Sequence, residues 1–257
     1  MAGGRGLLRD KVVMVTGASS GIGAAAGRVF AAEGAAVVLV ARREERLREL
    51  ADEIAAAGGR ALAATGDVTR EADVERAVAE AVSRFGRLDG AFNNAGYTVA
   101  GGLLHETDPE VFEQIMAVNV RGVWNCMRHQ IPAMLDSGRP AAIVNTSSVA
   151  GVLAAGVSSV YVAAKHAVLG LTRAAASEYG QRGVRVNALV VGSTRTELMD
   201  EVLEDTPSLE ESFVGRSVQK RMAAPEEIAH SAAWLCSDRA SFVTGAAMPV
   251  DGGWTAA

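Results

Sequence analysis

Residues 12–27, VVMVTGASSGIGAAAG, decide the fold of this chain. An apolar run of strand length leads into a turn with glycines at 17, 21 and 23, and then into alanine-rich sequence of helical character. Glycine lets the backbone turn sharply and approach an anion closely, and a helix N-terminus offers unpaired N–H groups to it. This order predicts a site for the pyrophosphate of a dinucleotide. The spacing is G-x3-G-x-G rather than the commoner G-x-G-x-x-G, and the alternative is that the glycines serve only tight packing of strand on helix.

The rest of the chain repeats this alternation of strand and helix. The predicted strands are rich in valine and do not alternate between apolar and polar residues, which is typical of a parallel sheet covered on both faces. They lie at 12–16, 36–41, 61–65, 88–93, 141–146 and 184–190, with a short one near 246–250. Helices are predicted at 21–33, 43–57, 70–85, 108–135, 158–180 and 225–237. The pattern predicts an α/β fold in a single domain, 1–257: a Rossmann-type doubly wound parallel β-sheet flanked by helices.

Composition excludes several classes of protein. Of 257 residues, 49% are hydrophobic and 21% charged, so a large core is available and intrinsic disorder is excluded. The formal net charge of −5 argues against a nucleic-acid partner, because a phosphate-binding surface needs clustered positive charge. Cys126 and Cys236 are too few for a disulfide scaffold and suit a reducing compartment. With no apolar run of membrane-spanning length and no signal peptide in residues 1–10, we expect a soluble cytoplasmic protein.

Residues 197–222 interrupt the alternation. The segment is acidic at first, is broken by Pro207 and is basic at its end. One interpretation is a solvated surface excursion. The other is a lid over a substrate site, because long insertions beyond the carboxyl ends of strands often carry function.

Arg42 follows the second predicted strand, where such folds recognise the adenosine ribose. No Asp or Glu lies between Gly34 and Arg43 to bind the ribose hydroxyls, and an arginine there accommodates a 2′-phosphate. The sequence therefore favours NADP(H), with NAD(H) as the other cofactor it could use. Alternatively, both arginines are ordinary solvated charges at the start of a helix.

Tyr161 and Lys165 stand at i and i+4 on a predicted helix and so share one face. A phenol has a reference pKa of about 10, and a nearby ammonium lowers it. A bare Tyr-x3-Lys pair is common and by itself is more often a surface pair. Ser148, at the end of the preceding strand, could donate to a substrate carbonyl or could cap a turn. The turn at 93–96, Asn-Asn-Ala-Gly, likewise follows a strand, and its alternative is a plain turn.

In this order, the motifs resemble those of the short-chain dehydrogenase/reductase family, in its single-domain, unextended branch. The likeness runs from Lys11 to about Thr255. It is carried by TGASSGIG at 16–23, Asp67-Val68, NNAG at 93–96, Asn119, Ser148, YVAAK at 161–165, Asn187, Gly192, Thr196 and VDGG at 250–253. The family usually has Pro-Gly where this chain has Val191-Gly192. The geometry beside the nicotinamide is therefore less restrained.

The resemblance implies roles for individual residues. Tyr161 would be the general acid in reduction and the general base in oxidation, while Lys165 would lower its pKa and hold the nicotinamide ribose. Ser148 would orient the substrate oxygen, and Asn119 would hold a water that links Lys165 to solvent. The remaining cofactor contacts would be Gly17, Ser19, Ser20, Ile22 and Gly23 at the phosphates, Asp67 and Val68 at the adenine, Asn94, Ala95 and Gly96 on the adenosine side, and Gly192, Thr194 and Thr196 at the carboxamide.

These residues predict an NADP(H)-dependent reductase or dehydrogenase that interconverts a ketone and a secondary alcohol. Apolar residues at 149–157 and 97–100 favour a fairly hydrophobic small-molecule substrate. An acyl-carrier-protein 3-oxoacyl reductase is an alternative, although the acidic stretch at 200–211 would repel an acidic carrier. A non-catalytic cofactor-sensing protein and an isomerase or dehydratase are further alternatives.

No metal site is expected, because the four histidines are dispersed and Cys126-x2-His129 has no second ligand pair. The resemblance implies a homotetramer built through the Tyr161 helix, which is apolar almost all round, and the C-terminal strand.

Overall fold

The computed structural model describes residues 6–99, 101–154, 156–205 and 208–256. Within these ranges seven strands form one parallel sheet in the order β3-β2-β1-β4-β5-β6-β7. They are β1 Val12–Thr16, β2 Ala36–Ala41, β3 Arg60–Thr65, β4 Gly90–Asn93, β5 Ala141–Ser148, β6 Val184–Val191 and β7 Ala247–Val250. The order reverses direction between β1 and β4, so the prediction of a doubly wound parallel sheet is confirmed.

Helices cover both faces of the sheet. They are α1 Gly21–Ala32, α2 Glu44–Ala56, α3 Glu71–Phe85, α4 Pro109–Met116, α5 Gly122–Asp136, α6 Ser159–Tyr179, α7 Glu197–Asp205, α8 Leu209–Arg216 and α9 Pro225–Cys236. Successive residues of a strand point to opposite faces. In β1, Val13 and Val15 pack with α1, α2 and α9, whereas Val12 and Met14 pack with α3, α5 and α6. The apolar runs of the sequence are therefore buried on both sides, as parallel strands require.

Helix termini follow local signals in the sequence. Asp108 caps α4, accepting a hydrogen bond from the N–H of Glu110 at 2.8 Å, with Pro109 in the first turn. Gly86 ends α3 in the left-handed region at φ +81°.

Several predicted elements differ from those observed at their ends, and two of the differences have a physical reason. The expected single helix at 108–135 is wrong, because a π-helical turn, Ala117–Arg121, separates α4 from α5. The fourth strand begins at Gly90 rather than at residue 88. The buried carboxylate of Asp89 accepts hydrogen bonds from the N–H of Val12 and from Nε of Arg87, both at 2.8 Å. The N–H of Val12 is therefore not available for main-chain pairing between β1 and the residues that precede β4.

Residues 197–222 contain the two short helices α7 and α8, which sequence patterning did not predict. Pro207, expected to break this segment, lies outside the described residues.

Candidate active site

The glycine turn lies at the carboxyl end of β1, against the turn that follows β4. Gly17 has a φ of +68°, and a Cβ there would come within 2.9 Å of the Cα of Ala95. The hydroxyl oxygen of Thr16 accepts hydrogen bonds from the N–H groups of Asn94 and Ala95, at 3.0 and 3.1 Å. Only glycine combines this backbone conformation with such a close approach. The two segments expected to hold the cofactor are therefore in direct contact.

The N-terminus of α1 has no side chain that caps it. Ser20 is the N-cap residue but makes no side-chain capping hydrogen bond, and the first turn contains no acidic residue. The unpaired N–H groups at the start of α1 and the positive end of the helix dipole thus suit a phosphate. Gly23 serves the packing that the sequence left as an alternative, because a Cβ there would lie 2.1 Å from the carbonyl oxygen of Gly17.

A cavity of about 560 Å³ runs along the carboxyl edge of the sheet. It brings together most of the residues expected in the site, whereas Gly23 and Asn119 do not line it. Those that line it are Gly17, Ser19, Ser20, Ile22, Arg42, Asp67, Val68, Asn94, Ala95, Gly96, Ser148, Tyr161, Lys165, Gly192, Thr194 and Thr196. Residues from distant parts of the chain therefore share one site, at the edge where such sheets bind ligands.

At one end of the cavity, Arg42 and Arg43 differ in their partners. Arg43 donates to the hydroxyl of Ser19 at 3.1 Å and forms an ion pair with Glu197 at 3.0 Å. Arg42 is exposed and has no ion pair with any residue that the structure describes. The charge of Arg42 is thus available to an anion, whereas that of Arg43 is already offset.

Asp67 and Val68 form the wall beside these arginines. One carboxylate oxygen of Asp67 accepts from the N–H and the hydroxyl of Thr69, at 2.9 and 2.8 Å. These bonds fix the carboxylate, and Val68 adds a buried apolar surface beside it. A fixed acceptor next to an apolar wall suits a flat, polar-edged group such as an adenine.

At the other end, Tyr161 and Lys165 lie one turn apart on α6, and Ser148 is the last residue of β5. Nζ of Lys165 donates to the carbonyl oxygen of Thr146 at 2.9 Å and lies 5.4 Å from the centre of the Tyr161 ring. The hydroxyl of Ser147, in turn, donates to the carbonyl oxygen of Lys165 at 3.0 Å. Strand β5 therefore holds Lys165 at both its main chain and its side chain.

Burial dominates the electrostatics of this end. It raises the pKa of Tyr161 to about 12, and the hydrogen bond with Ser148 opposes that shift only in part. Burial also lowers the pKa of Lys165 to about 8. The chain's own groups thus do not lower the pKa of Tyr161 as expected, because a buried phenolate loses more hydration than its neighbours return. At neutral pH the phenol keeps its proton and Lys165 is mostly an ammonium.

Asn119 lies in the π-helical turn and is fully buried behind the cavity. Its amide donates to the carbonyl oxygens of Tyr97 and Ile115, at 2.7 and 2.9 Å. A Cβ on Gly96 would come within 3.2 Å of its Oδ1 and 3.7 Å of Nζ of Lys165. Asn119 therefore supports the backbone at Gly96 and Tyr97, which lies between Asn119 and Lys165. Its place in a π-helical turn is of a kind that is frequent at functional sites.

Val191, which replaces the family's usual proline, continues β6 one residue beyond its predicted end and pairs with Val250 of β7. The next N–H, of Gly192, donates to the carbonyl oxygen of Val250 at 3.1 Å, and the hydroxyl of Thr194 donates to the carbonyl oxygen of Gly192 at 3.1 Å. These hydrogen bonds fix the backbone of this corner without the proline ring.

Several lining residues were missed by sequence reasoning. Gln114, Met199, Phe213 and Trp254 all line the cavity. Trp254 directly follows the VDGG motif, and an aromatic residue at that place is a signal that could have been used.

The two segments expected to form apolar walls line the cavity only in part. Of 149–157, the residues Val149, Ala150, Gly156 and Val157 line the cavity, while Val152 and Leu153 are exposed. Of 97–100, the first three residues line it, and Ala100 is outside the described residues. Helices α7 and α8 cover this end, with Leu203 and Phe213 buried.

Within the described residues, no group of three or more His, Cys, Asp or Glu side chains is arranged to hold a metal ion. In the same residues, no helix is both long and apolar enough to cross a membrane.

Comparison with known proteins identifies the relatives of this chain. The family model described as "Enoyl-(Acyl carrier protein) reductase" matches residues 17–255. An "A-factor type gamma-butyrolactone 1'-reductase (1S-forming)" from Streptomyces virginiae is 53% identical over 251 residues, covering 98% of each chain. A "Cyclohexanol dehydrogenase" from Acinetobacter sp. (strain SE19) is 40% identical, covering 96% of this chain and 95% of the relative. The "Crystal Structure of Levodione Reductase" has a TM-score of 0.92 at 36% identity, covering 97% of this chain and 99% of that one.

These likenesses extend over nearly the whole chain, and the named relatives are reductases and dehydrogenases of alcohol and ketone groups. A nicotinamide cofactor and oxidoreductase chemistry follow for this chain. It belongs to the short-chain dehydrogenase/reductase family.

Proposed function

We propose that this protein is an NADP(H)-dependent oxidoreductase that interconverts a ketone and a secondary alcohol, with Tyr161 as its general acid and base. The observation that carries the proposal is one cavity shared by the uncapped glycine turn at 16–23 and the group Ser148, Tyr161 and Lys165. A site for a dinucleotide thus opens directly onto a proton donor in a buried setting.

The cofactor supplies or accepts the hydride at the substrate carbon. The chain's own residues handle the proton at the substrate oxygen. With its pKa raised to about 12, the Tyr161 phenol carries a proton at neutral pH, the form a general acid needs. The hydroxyl of Ser148 orients the same oxygen by a second hydrogen bond.

In the oxidation direction, Tyr161 must release its proton before it can accept one from the alcohol. The Lys165 ammonium and the positive ring of an oxidised nicotinamide would both favour the phenolate, and such charge is needed because burial raises the pKa of Tyr161 to about 12. Lys165 also binds the nicotinamide ribose, and Asn119 holds a water that links Lys165 to solvent.

Cofactor binding rests on the residues grouped along the cavity. The glycine turn and the start of α1, through Gly17, Ser19, Ser20 and Ile22, hold the phosphates. Asp67, Val68 and the turn at 94–96 hold the adenosine. The corner at Gly192, Thr194 and Thr196 holds the carboxamide. Gly23 contributes by bringing α1 close to the turn rather than by contact.

The 2′-phosphate of NADP(H) is bound by Arg42. Its charge is uncommitted among the described residues, whereas Arg43 is paired with Glu197, and this difference supports the choice. A charge-assisted contact between guanidinium and phosphate is both strong and directional.

The substrate is a fairly hydrophobic small molecule. Apolar side chains, among them Val149, Phe213 and Trp254, line its end of the cavity. The relatives named for cyclohexanol and levodione point in the same direction. A carrier-protein substrate is disfavoured, because Glu201, Glu204 and Glu211 present exposed negative charge on the covering helices.

The chain acts as a single domain, with residues 197–222 as a lid over the substrate end. Three small residues exposed on α6, Ala163, Gly170 and Ala174, support assembly into a homotetramer through this helix. Two free, buried thiols, Cys126 and Cys236, suit a reducing cytoplasm.

The test is turnover of a panel of ketones and secondary alcohols with NADP(H) and NAD(H), followed by nicotinamide absorbance. We expect reduction of hydrophobic cyclic ketones with a preference for NADPH. Absence of turnover with every carbonyl and both cofactors would instead favour a cofactor-sensing protein.

The cofactor assignment has its own matched pair of variants. Arg42→Ala should lower the preference for NADPH over NADH by about ten- to a hundredfold, because it removes one guanidinium–phosphate contact. Each factor of ten corresponds to about 1.4 kcal/mol. Arg43→Ala, the neighbouring control, should change that ratio much less. Ala41→Asp combined with Arg42→Ala should reverse the preference, because a carboxylate repels the phosphate and accepts from the ribose hydroxyls. A wild type that prefers NADH, or an unchanged ratio in the double variant, would refute the assignment.

A further inference from the structure

The C-terminal turn at 251–255 is built around one carboxylate. Oδ1 of Asp251 accepts from the N–H of Gly253 at 2.9 Å. Oδ2 accepts from the N–H and the hydroxyl of Thr255, at 2.9 and 2.7 Å. Gly252 and Gly253 have φ values of +62° and +85°, which most other residues adopt only with strain. The position of Trp254, enclosed in this turn, is therefore fixed by its own backbone.

The turn at 251–255 lies between the corner at Gly192 and the carboxyl end of the proposed lid, at Ser217 and Gln219. A Cβ on Gly192 would lie 2.7 Å from the Cα of Asp251, so the two backbones are in contact. On the other side, the hydroxyl of Ser217 and the N–H of Gln219 both donate to the carbonyl oxygen of Gly252, each at 3.1 Å. The turn thus holds the carboxyl end of the lid at a set distance from the reacting end of the cavity.

The indole of Trp254 fills the space that this arrangement leaves. It is buried and lines the cavity, in one apolar cluster with Val149, Met199 and Tyr161. Its ring centre lies 6.3 Å from that of Phe213 on α8, with the planes at 39°, within the range of favourable aromatic pairs. Because its backbone is fixed and its ring packs on Phe213 of α8, Trp254 forms one wall of the cavity together with the covering helix.

We propose that Trp254 is a specificity-determining residue, whose indole limits how bulky an apolar substrate this end of the cavity accepts. The inference rests on the proposed ketone–alcohol activity and adds the size class of its substrate. A bulky group that extends toward Trp254 has to displace the indole, which packs on Phe213 and lies beside the anchored end of the lid.

The experiment compares cyclohexanone with 4-tert-butylcyclohexanone in the wild type, in Trp254→Ala and in the matched control Trp254→Phe. We expect Trp254→Ala to shift the ratio of kcat/KM at least about tenfold toward the bulky ketone, mainly through KM, since apolar pockets discriminate by such factors. Trp254→Phe keeps an aromatic wall and should keep most of the preference. If Trp254→Ala changes both ketones by the same factor, Trp254 has no part in selection and the inference is overturned.

A binding measurement keeps the inference testable without turnover and without the alanine variant. The chain has three tryptophans, so Trp124→Phe with Trp234→Phe leaves Trp254 as the sole emitter. Cyclohexanone added in the presence of NADP⁺ should change its emission saturably, and 4-tert-butylcyclohexanone should do so only at much higher concentration. Equal responses to both ketones, or none to either, would overturn the inference. Absence of turnover in the wild type counts against the proposed function alone.

Discussion

Replacing Lys165 with methionine should stabilise this protein at neutral pH while it impairs catalysis and cofactor binding. Burial lowers the pKa of Lys165 from 10.5 to about 8. At about 1.4 kcal/mol per pKa unit, the buried ammonium destabilises the folded state by about 3 kcal/mol at pH 7. Methionine removes that penalty but leaves the Thr146 carbonyl without its 2.9 Å hydrogen bond, a loss of about 1–2 kcal/mol. The free energy of unfolding should therefore rise by about 1–2 kcal/mol.

The stability gained by Lys165→Met depends on pH, because the pKa of Lys165 differs between the folded and the unfolded chain. The pKa of Lys165 is lower in the folded chain than in the unfolded chain, so between about pH 8 and 10.5 the unfolded chain binds more protons and wild-type stability rises with pH. The penalty falls from about 3 kcal/mol at pH 7 to below about 1 kcal/mol at pH 10, whereas methionine does not titrate. The advantage of Lys165→Met should thus disappear by pH 10.

The assay is urea unfolding of wild type and variant at pH 7 and pH 10, with the exposed Lys220→Met as the control. Other titrating groups are common to all three proteins and cancel in the differences. Lys220→Met removes one lysine charge from the surface and so controls for the loss of a positive charge that is not buried. If the difference between Lys165→Met and wild type were equal at both pH values, Lys165 would not be a destabilising buried charge and the reasoning would be wrong.

Three further predictions concern the proton donor, the glycine turn and the lid. Tyr161→Phe should lower kcat by about 10²–10⁴-fold, because it removes the transferable proton, while calorimetry should find cofactor Kd nearly unchanged; near-normal kcat would contradict the acid–base role. Gly23→Ala should destabilise the fold by at least about 2 kcal/mol in urea unfolding, since its Cβ would meet the Gly17 carbonyl oxygen at 2.1 Å, whereas Gly215→Ala on α8 has open space and should be neutral or stabilising; equal effects would argue against the clash. Amide hydrogen exchange at 197–222 should slow when cofactor and substrate are both bound, and exchange that is the same with and without them would count against a lid.

The fold was largely predictable because its strands are buried on both faces. Runs such as 36–41, AVVLVA, leave no polar face, and only a covered parallel sheet accommodates many of them. The start of β4 was not predictable, because Leu88 is as apolar as a strand residue. What delays the strand is the pairing of the Asp89 carboxylate with the N–H of Val12, a contact between residues far apart in sequence.

Some features of the candidate site were likewise predictable from the sequence, and others were not. Its motifs are local, so the glycine turn could be proposed from its spacing, while Ser148 and the Tyr161–Lys165 pair were proposed through the resemblance that the ordered motifs carry. The pairing of Arg43 with Glu197, the cavity position of Trp254 and the raised pKa of Tyr161 all depend on how distant segments pack. The π-helical turn was hidden as well, since its sequence is as compatible with a regular helix as its flanks are.

The order of strands has a genetic consequence. In the proposed function, strands β1 to β4 carry the adenosine side of the site, whereas the chain after residue 140 carries the reacting groups and most of the substrate walls. A crossover between two related genes at residues 101–108 should therefore exchange cofactor preference while keeping the substrate contacts other than those at residues 97–99. Helix α9 is the exception, because it packs on α1 in one core cluster that includes Ala25, Ala26 and Ala232. Recombinants should therefore fold best when the parents match in these alanine-rich positions, so the packing of α1 on α9 restricts which parents can be combined.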